Sequence, residues 1–493
     1  MRLVWALVTA LIVLSGARAE TRDLTPSEHR GRSLFQSGPI GDPRARAVIG
    51  VGDVPVMATA VPCASCHGAD GRGRPEGGVT PPDITWPSLS GPRVAAPGRL
   101  ARPGYDAAAL VRAITLGIDP GGNRLDPVMP RFAFSRSDAE SLVAFLQRLG
   151  TTPEPGIEAD AILIGTVQRT GQAPLLRLLD AYFQRINRNG AIFGREIRMV
   201  AATFGPRDAP SSVITRLLSS SAVLCLVAPD IAGDEAASVG AVTALGVPLI
   251  GPLTLRPRSA PASRYVFNLD GGTATLGGAL ATYAVRSGDQ LASQIVDDGS
   301  PLWHDAAEAA SAVLERAGIV PARCQFEAGA ETCLAGARGA RLFWFADGPA
   351  SRAALDRALP IAASVLLPAA LARDLLDRRI DSKVSLAFPE IATDVAPEAA
   401  AELRELAVEA DMQGRDQAAQ RRVIAAAKLL TAALEHAGRN LTREGLISAI
   451  EGMQNLRTGL VPRLSFTPLR HIGSSGAWVV SPGGGPPEWI EAP

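Results

Sequence analysis

Two thiols three residues apart, followed at once by an imidazole, stand at Cys63-Ala64-Ser65-Cys66-His67. In the C-x-x-C-H spacing each thiol can add across one vinyl group of a haem, and the histidine that follows is placed to ligate the iron from one face. The chemistry implied is one covalently attached haem c, with Cys63 and Cys66 as its thioether anchors. A second axial ligand is then required. Met129 supplies it from Pro127-Val128-Met129-Pro130, a loop whose prolines bar continuation as a helix and restrict how the thioether approaches. Met57, just upstream of the motif, is the other methionine to weigh. The same Cys63, Cys66 and His67 set is also compatible with zinc or with a redox disulfide. Zinc asks for a fourth ligand, and this region has no further cysteine and only His29 as a second histidine. The reading taken forward is His67 and Met129 on the iron. Iron held on both faces passes one electron and has no vacant position for a substrate.

The elements that must position these residues can be read around them. Ser27 to Phe35 reads as a short opening helix with Gly31 and Phe35 on one side. A Gly/Pro-rich stretch leads to the motif, and the loop Pro81 to Trp86 follows it. Asp106 to Leu116 carries a helical stripe at Leu110, Val111 and Ile114. Ser137-Asp138-Ala139-Glu140 reads as a capping box that opens a last helix bearing Leu142, Phe145, Leu146 and Leu149, with Gly150 as its stop. This order of helix, C-x-x-C-H, helix, Met-Pro loop and helix resembles the class I cytochrome c domains, over residues 20–150. The resemblance implies an all-α domain whose first and last helices cross near Gly31 and Phe145. It also implies haem residues at Cys63, Cys66, His67 and Met129. The long stretch between Phe35 and Cys63 departs from that pattern.

Ahead of this domain, residues 1–19 have a basic start, an apolar run from Leu3 to Leu14 and an A-x-A end at Ala17-Arg18-Ala19. They read as a secretory signal peptide, too short in its apolar run to span a bilayer. No later stretch is long and apolar enough to span one. The expected location is the periplasm, which agrees with haem attachment outside the cytoplasm.

A chain of 493 residues is long for one domain. Its 49 basic and 49 acidic residues balance, which removes any electrostatic case for nucleic acid or an anionic membrane. Cys324 and Cys333 are close in sequence and, in an oxidising compartment, are expected to form a disulfide closing a short loop, worth roughly 2–3 kcal/mol. Cys225, in the apolar run Ala222 to Val227, reads as a buried strand residue.

A proline-stiffened linker, residues 151–156, precedes a change of pattern. Strand-like and helical segments then alternate: Ala161 to Val167, Pro174 to Arg188, Glu196 to Ala202, Ser211 to Ser219, Ala222 to Ala228, Asp234 to Leu245 and Val247 to Gly251. In the first helix Leu176, Leu179, Phe183 and Ile186 are the expected inward residues. A second set runs through Leu291 to Val296, His304 to Ala317 and Arg341 to Phe345. Such βα repeats predict parallel sheets with helices on both faces, here as two lobes around a cleft over residues 157–493. The arginine-rich stretch Arg415 to Arg422 reads as a solvated helix face.

Ile164-Gly165-Thr166-Val167, Gly246-Val247-Pro248-Leu249-Ile250-Gly251-Pro252, Arg264-Tyr265-Val266-Phe267-Asn268-Leu269 and the tail motifs Leu441 to Leu446, Thr458-Gly459-Leu460 and His471-Ile472-Gly473 resemble, in order and spacing, the type I periplasmic binding proteins. The branch is that of the branched-chain amino-acid (Leu/Ile/Val) receptors of ABC importers. The resemblance implies that loops after the strands hold the ligand: Ala232 and Thr254 from the first lobe, and Asp298, Trp303 and Asp347 from the second. Asp298 and Asp347 are equally readable as helix caps, and Trp303 as a packing residue. Receptors for amino acids usually carry serines and threonines in the first-lobe loops, whereas this chain has Ile231, Ala232, Leu253 and Leu255. An amino acid is therefore one option beside a small organic acid or an alcohol-derived metabolite.

No residues for bond-making chemistry stand out in either half, so the chain does not read as an enzyme. Two functions remain. One is periplasmic one-electron transfer coupled to binding of a ligand or partner, with a periplasmic dehydrogenase or respiratory cytochrome as redox partner. The other is the receptor of a branched-chain amino-acid-type ABC importer, docking on an ABC permease, with the haem as an accessory or redox switch.

Overall fold

The computed structural model describes residues 24–39, 45–73, 79–151, 153–257, 262–289, 291–326, 332–372, 383–481 and 485–492. The expected signal peptide lies outside them. The chain divides into two compact units, Met1–Pro153 and Glu154–Pro493.

In the first unit, Thr25 caps the helix Pro26–Ser37 through a reciprocal capping box with Glu28. The last helix, Arg136–Leu146, crosses it at Gly31, where a Cβ would sit 2.0 Å from the Ser141 carbonyl oxygen and 2.8 Å from the Phe145 Cβ. Only a residue without a side chain permits this approach. Phe35 and Phe145 pack beside it with tilted rings, centroids 5.4 Å apart. The cap of the last helix is Ser135, whose hydroxyl accepts from the Asp138 N–H, and not the expected Ser137. Ser-x-x-acid occurs twice in succession here, and spacing alone does not separate the two registers. Asp106 caps Ala107–Leu116, which buries Leu110 and Ile114.

The stretch between Phe35 and Cys63 adds a small antiparallel sheet to this helical frame. Strands β1 (Arg46–Ile49) and β2 (Val54–Met57) form a hairpin, and β1 pairs on its other edge with β3 (Arg131–Phe132). The turn places Asp53 at φ 47°, and Asp53 pairs with Arg131.

The second unit has two lobes. The first contains β4 (Ala161–Arg169), β5 (Glu196–Phe204), β6 (Cys225–Val227), β7 (Leu249–Ile250) and β8 (Val266–Asp270). The second contains β9 (Ser293–Asp297), β10 (Ala322–Gln325), β11 (Arg341–Phe345), β12 (Ser364–Pro368) and β13 (Val384–Phe388). The chain then returns to the first lobe for β14 (Ile472–Ser474) and crosses again for β15 (Gly476–Val480) and β16 (Glu488–Glu491). The described sheet orders are β14-β8-β7-β6-β4-β5 and β10-β9-β11-β12-β13-β15-β16. The pairs of the first are all parallel among the described residues, and in the second only β15 runs against the rest, antiparallel to both β13 and β16. Helices cover both faces, so central strands such as Arg341–Phe345 are buried at every residue.

Pro174–Arg188 buries Leu175, Leu178, Leu179, Tyr182 and Phe183; the expected Leu176 and Ile186 are only half-buried. The helix packs on β5 and also on the helices Pro397–Glu409 and Gln417–Ala437, which turns its buried stripe toward Leu175. The reading of Arg415 to Arg422 as a solvated face is corrected as well. Arg422 pairs with Asp270 at the end of β8, and Arg421 pairs with Glu390 after β13. Both carboxylates stand where the chain crosses between lobes, and partly buried acids there need cationic partners. Burial dominates at Glu390 and pushes its carboxyl up despite Arg421. Of the linker, Glu154 and Gly156 are knitted into the second unit: Glu154 accepts from the Arg443 N–H at 2.9 Å, and the Gly156 carbonyl accepts from Leu163 at 2.7 Å.

Replacing Gly31 by Val should force the crossing helices apart and destabilise the first unit by about 1–3 kcal/mol. Scanning calorimetry would show its transition at lower temperature with the second unit's unmoved; an unchanged first transition would contradict the close crossing.

Candidate functional site

Cys63–His67 forms one short helix, started by the extended Pro62 and stopped at Gly68. Cys63 is half-buried, Cys66 is exposed and His67 is 8% exposed. Burial pushes the Cys63 thiol up to about 12 and lowers the His67 imidazole, the latter partly offset by a hydrogen bond to Pro82. That bond joins His67 Nδ1 to the Pro82 carbonyl oxygen at 3.0 Å. A carbonyl only accepts, so Nδ1 carries the proton and Nε2 keeps its lone pair for a metal.

Two cavities of about 270 and 280 Å3 are each lined by Cys63, His67 and Met129. Phe35, Leu89, Leu110, Ile114, Leu142 and Leu146 make the first mainly apolar, and Val128 and Phe132 line the second. Met57 lines neither; it is 40% exposed and its sulfur accepts from Arg46. Met129 is held by an N–H bond to the Asp126 carbonyl at 2.9 Å, and the Pro127 carbonyl accepts from Gly50 of the hairpin turn at 2.8 Å. The hairpin therefore anchors the methionine loop from one side, while β3 continues from it into the sheet. Among the described residues, no group of three or more His, Cys, Asp and Glu side chains is placed to hold a metal ion, which leaves the zinc alternative without a ligand set.

In the second unit, the loops after β6 and β7 are zipped together: Ile231 N–H donates to the Leu253 carbonyl at 3.2 Å and Leu253 N–H to the Pro229 carbonyl at 2.8 Å. Asp230 is buried, pairs with Arg169 at 3.2 Å and accepts from the Ala232 N–H at 3.1 Å. Ala228 sits at φ 44°, a left-handed conformation costly for a residue with a Cβ, and its carbonyl accepts from Gln168 at 2.6 Å. Thr254 is buried; its hydroxyl donates to Glu235 at 2.7 Å and accepts from Arg256 N–H at 2.9 Å. From the second lobe, Asp298 accepts from Ser300 N–H at 2.9 Å and Asp347 N–H at 3.0 Å, clipping two loops together. Asp347 is exposed and accepts from Gly348 N–H. Trp303 is 6% exposed and packs in the second-lobe core. Arg256 reaches across to Asp305 with bonds of 2.8 and 3.2 Å, a bidentate pair that ties first lobe to second. Cys324 and Cys333 are disulfide-bonded.

Residues 57–150 match the cytochrome c family model, and residues 165–323 match the model described as periplasmic binding protein. The chain joins a cytochrome c domain to a periplasmic-binding-protein fold. Solved structures similar to it include a fatty acid ABC transporter substrate-binding protein from Thermomonospora curvata, at 18% identity and TM-score 0.50 over 70% of this chain and 94% of that one. A putative branched-chain amino acid ABC transporter from Rhodospirillum rubrum is 17% identical, with TM-score 0.52 over 67% of this chain and 99% of that one. An ABC transporter substrate-binding protein from Desulfitobacterium hafniense is 13% identical, with TM-score 0.52 over 67% and 100%. At these identities the likeness is one of fold. No curated protein sequence matches the chain.

Several residues of both sites were missed by sequence reasoning. In the cytochrome c domain, Arg93, Arg99 and Arg102 line the polar edge of the cavity of about 270 Å3, a charge suited to the propionates of a haem. Arg102 is buried, bonds the Leu89, Gly91 and Pro103 carbonyls, and lies 4.7 Å over the Tyr105 ring. Pro82 was visible only as part of a loop. In the binding-protein fold, Glu235, Arg256 and Asp305 carry the polar network around Thr254, and no local pattern in the sequence marks them.

Replacing Thr254 by Val removes one of the two donors to buried Glu235 and should cost the second unit about 1–3 kcal/mol. Urea unfolding followed by tryptophan fluorescence would register it; an unshifted midpoint would mean water replaces the hydroxyl.

Proposed function

We propose that this chain is an exported, periplasmic c-type cytochrome whose binding domain couples one-electron transfer to the binding of a ligand or partner. The observation that carries the reading is the convergence of Cys63, His67 and Met129 on shared cavities, with Cys66 exposed beside them. Cys63 and Cys66 would hold one haem by thioether bonds, with His67 and Met129 on its iron. When bound, the group supplies a one-electron couple. The chain's own residues set its surroundings: Pro82 orients the His67 ring, the hairpin holds the Met129 loop, and apolar side chains exclude water. The residues present fit binding rather than bond-making catalysis. A periplasmic dehydrogenase or respiratory cytochrome is the expected redox partner.

The cleft side of the reading rests on Ala232, Thr254, Asp298, Trp303 and Asp347. Of these, Asp347 and Ala232 are exposed, Asp298 is half-buried, and Thr254 and Trp303 are engaged in packing and internal bonds. Leu255 is 54% exposed beside Thr254, which favours a ligand with an apolar body, such as a small organic acid, over a bare amino acid. The second reading is an importer receptor with an accessory haem that docks on an ABC permease; the shared fold favours it, and the scarcity of hydroxyls in the loops after β6 and β7 weighs against an amino-acid ligand.

Replacing Met129 by Ala should leave the haem attached and change both visible spectrum and reduction potential, while Met57→Ala leaves both as they were. An unaltered spectrum and potential in the Met129 variant would refute that ligand. Calorimetric titration of amino acids, aromatic acids and short alcohols against oxidised and reduced protein tests the coupling. A tenfold difference in affinity between the two states must appear as a shift of about 59 mV in potential. Equal affinity in both states would overturn coupling and favour the receptor reading.

A further inference from the structure

The lobes of the binding domain are joined after β8, after β13 and between β14 and β15. The sheet orders set β6 and β7 of one lobe and β9 and β11 of the other on one side of these crossovers, and the cleft loops follow those strands. On the opposite side, at the β14 edge and against β15 and β16, lies a second cavity of about 640 Å3.

Its lining is unusual for a surface hollow. Trp478 and Trp489 form one wall, ring centroids 5.4 Å apart and edge to face. Arg457, Arg463 and Arg470 line the hollow from the first lobe. Arg457 and Arg463 have no partner among the described residues, and Arg470 makes one bond, to the Ser465 carbonyl at 3.2 Å. Ser474 is 5% exposed, lines the same space, and its hydroxyl has no hydrogen-bond partner. An orphaned hydroxyl at that depth costs free energy unless something else bonds it.

The hollow also holds two carboxylates, Asp394 and Glu491, so its three arginines leave it one positive charge in excess. Asp394 accepts from Trp478 Nε1 at 2.7 Å and from Ile391 N–H at 2.9 Å. Glu491 accepts from Ser475 at 2.7 Å and from Trp489 Nε1 at 2.9 Å. Both indole N–H groups are thereby taken by carboxylates that line the hollow, which leaves the ring surfaces of Trp478 and Trp489 and the guanidinium groups of Arg457 and Arg463 for a ligand.

We propose that this hollow is a second small-molecule site, separate from the cleft, for a planar aromatic carboxylate. The ring lies against Trp478 and Trp489, and the carboxylate takes the free guanidinium groups and the Ser474 hydroxyl. The site is built from both lobes and from two crossovers, Thr393 to Ala396 and Ser474-Ser475. A ligand there favours one lobe angle over others, so it must alter affinity at the cleft, and cleft ligands must alter affinity here by the same factor.

The test is fluorine NMR of the full haem-loaded chain labelled with 5-fluorotryptophan, titrated with benzoate. Trp478→Phe and Trp489→Phe variants assign the resonances. Benzoate should shift the Trp478 and Trp489 signals. The double variant Arg457→Ala, Arg463→Ala, whose exposed positions leave the fold intact, should weaken that titration at least tenfold. Shifts confined to Trp303 would place benzoate in the cleft and overturn the site. Equal affinity without the arginines overturns it as well. A response to inorganic phosphate with none to benzoate overturns the ring requirement and the ligand class with it.

Discussion

The cytochrome domain depends on one hydrogen bond, from His67 Nδ1 to the carbonyl of Pro82. It sets the tautomer of the only histidine in the motif and fixes the plane of its ring. The backbone around it is arranged to deliver that carbonyl. Gly73 N–H bonds back to the His67 carbonyl at 2.8 Å, Ile84 N–H to Gly71 at 2.7 Å, and Trp86 N–H to Leu149 at 2.7 Å. Gly73 sits at φ 90° where a Cβ would be 2.1 Å from the Pro81 carbonyl oxygen, so the loop can pass this close only with glycine. The end of the last helix is thus linked to the His67 imidazole through a chain of main-chain bonds.

The motif and both principal helices were legible because each has a local signature: fixed spacing, a cap, a stripe of period near 3.6; their crossing at Gly31 came only from the resemblance to class I cytochrome c domains. The hairpin of β1 and β2 was not, because its partner β3 lies far along the chain and its two strands are short and largely exposed. Its contribution, anchoring the loop of Met129, is a long-range fact. In the binding domain the βα alternation was readable as parallel sheets, since buried strands are apolar throughout. The register of Pro174–Arg188 was not, because which stripe turns inward depends on helices more than two hundred residues away.

The polar parts of the candidate sites divide the same way. Thr254 and Asp298 were reachable as loop residues after strands, but what occupies them was hidden. Thr254 serves Glu235, and Asp298 serves the main-chain amides of Ser300 and Asp347. Arg421 and Arg422 read as surface charge from composition, because an arginine's partner is set by tertiary structure. Their pairing with Glu390 and Asp270 places two ion pairs at two of the crossovers, where the lobes would have to bend.

Cys225 is fully buried at the start of β6, and burial pushes its thiol up to about 12. The chain also carries a bonded pair, Cys324 and Cys333, and two thiols in the C-x-x-C-H motif. Once the first lobe has closed over it, Cys225 presents no thiolate and no access, and it cannot attack the other four sulfurs. Before then it can. In an oxidising compartment the order of maturation therefore matters: a nascent chain whose first lobe collapses early has four sulfurs to sort, with three possible pairings, whereas one that collapses late has five.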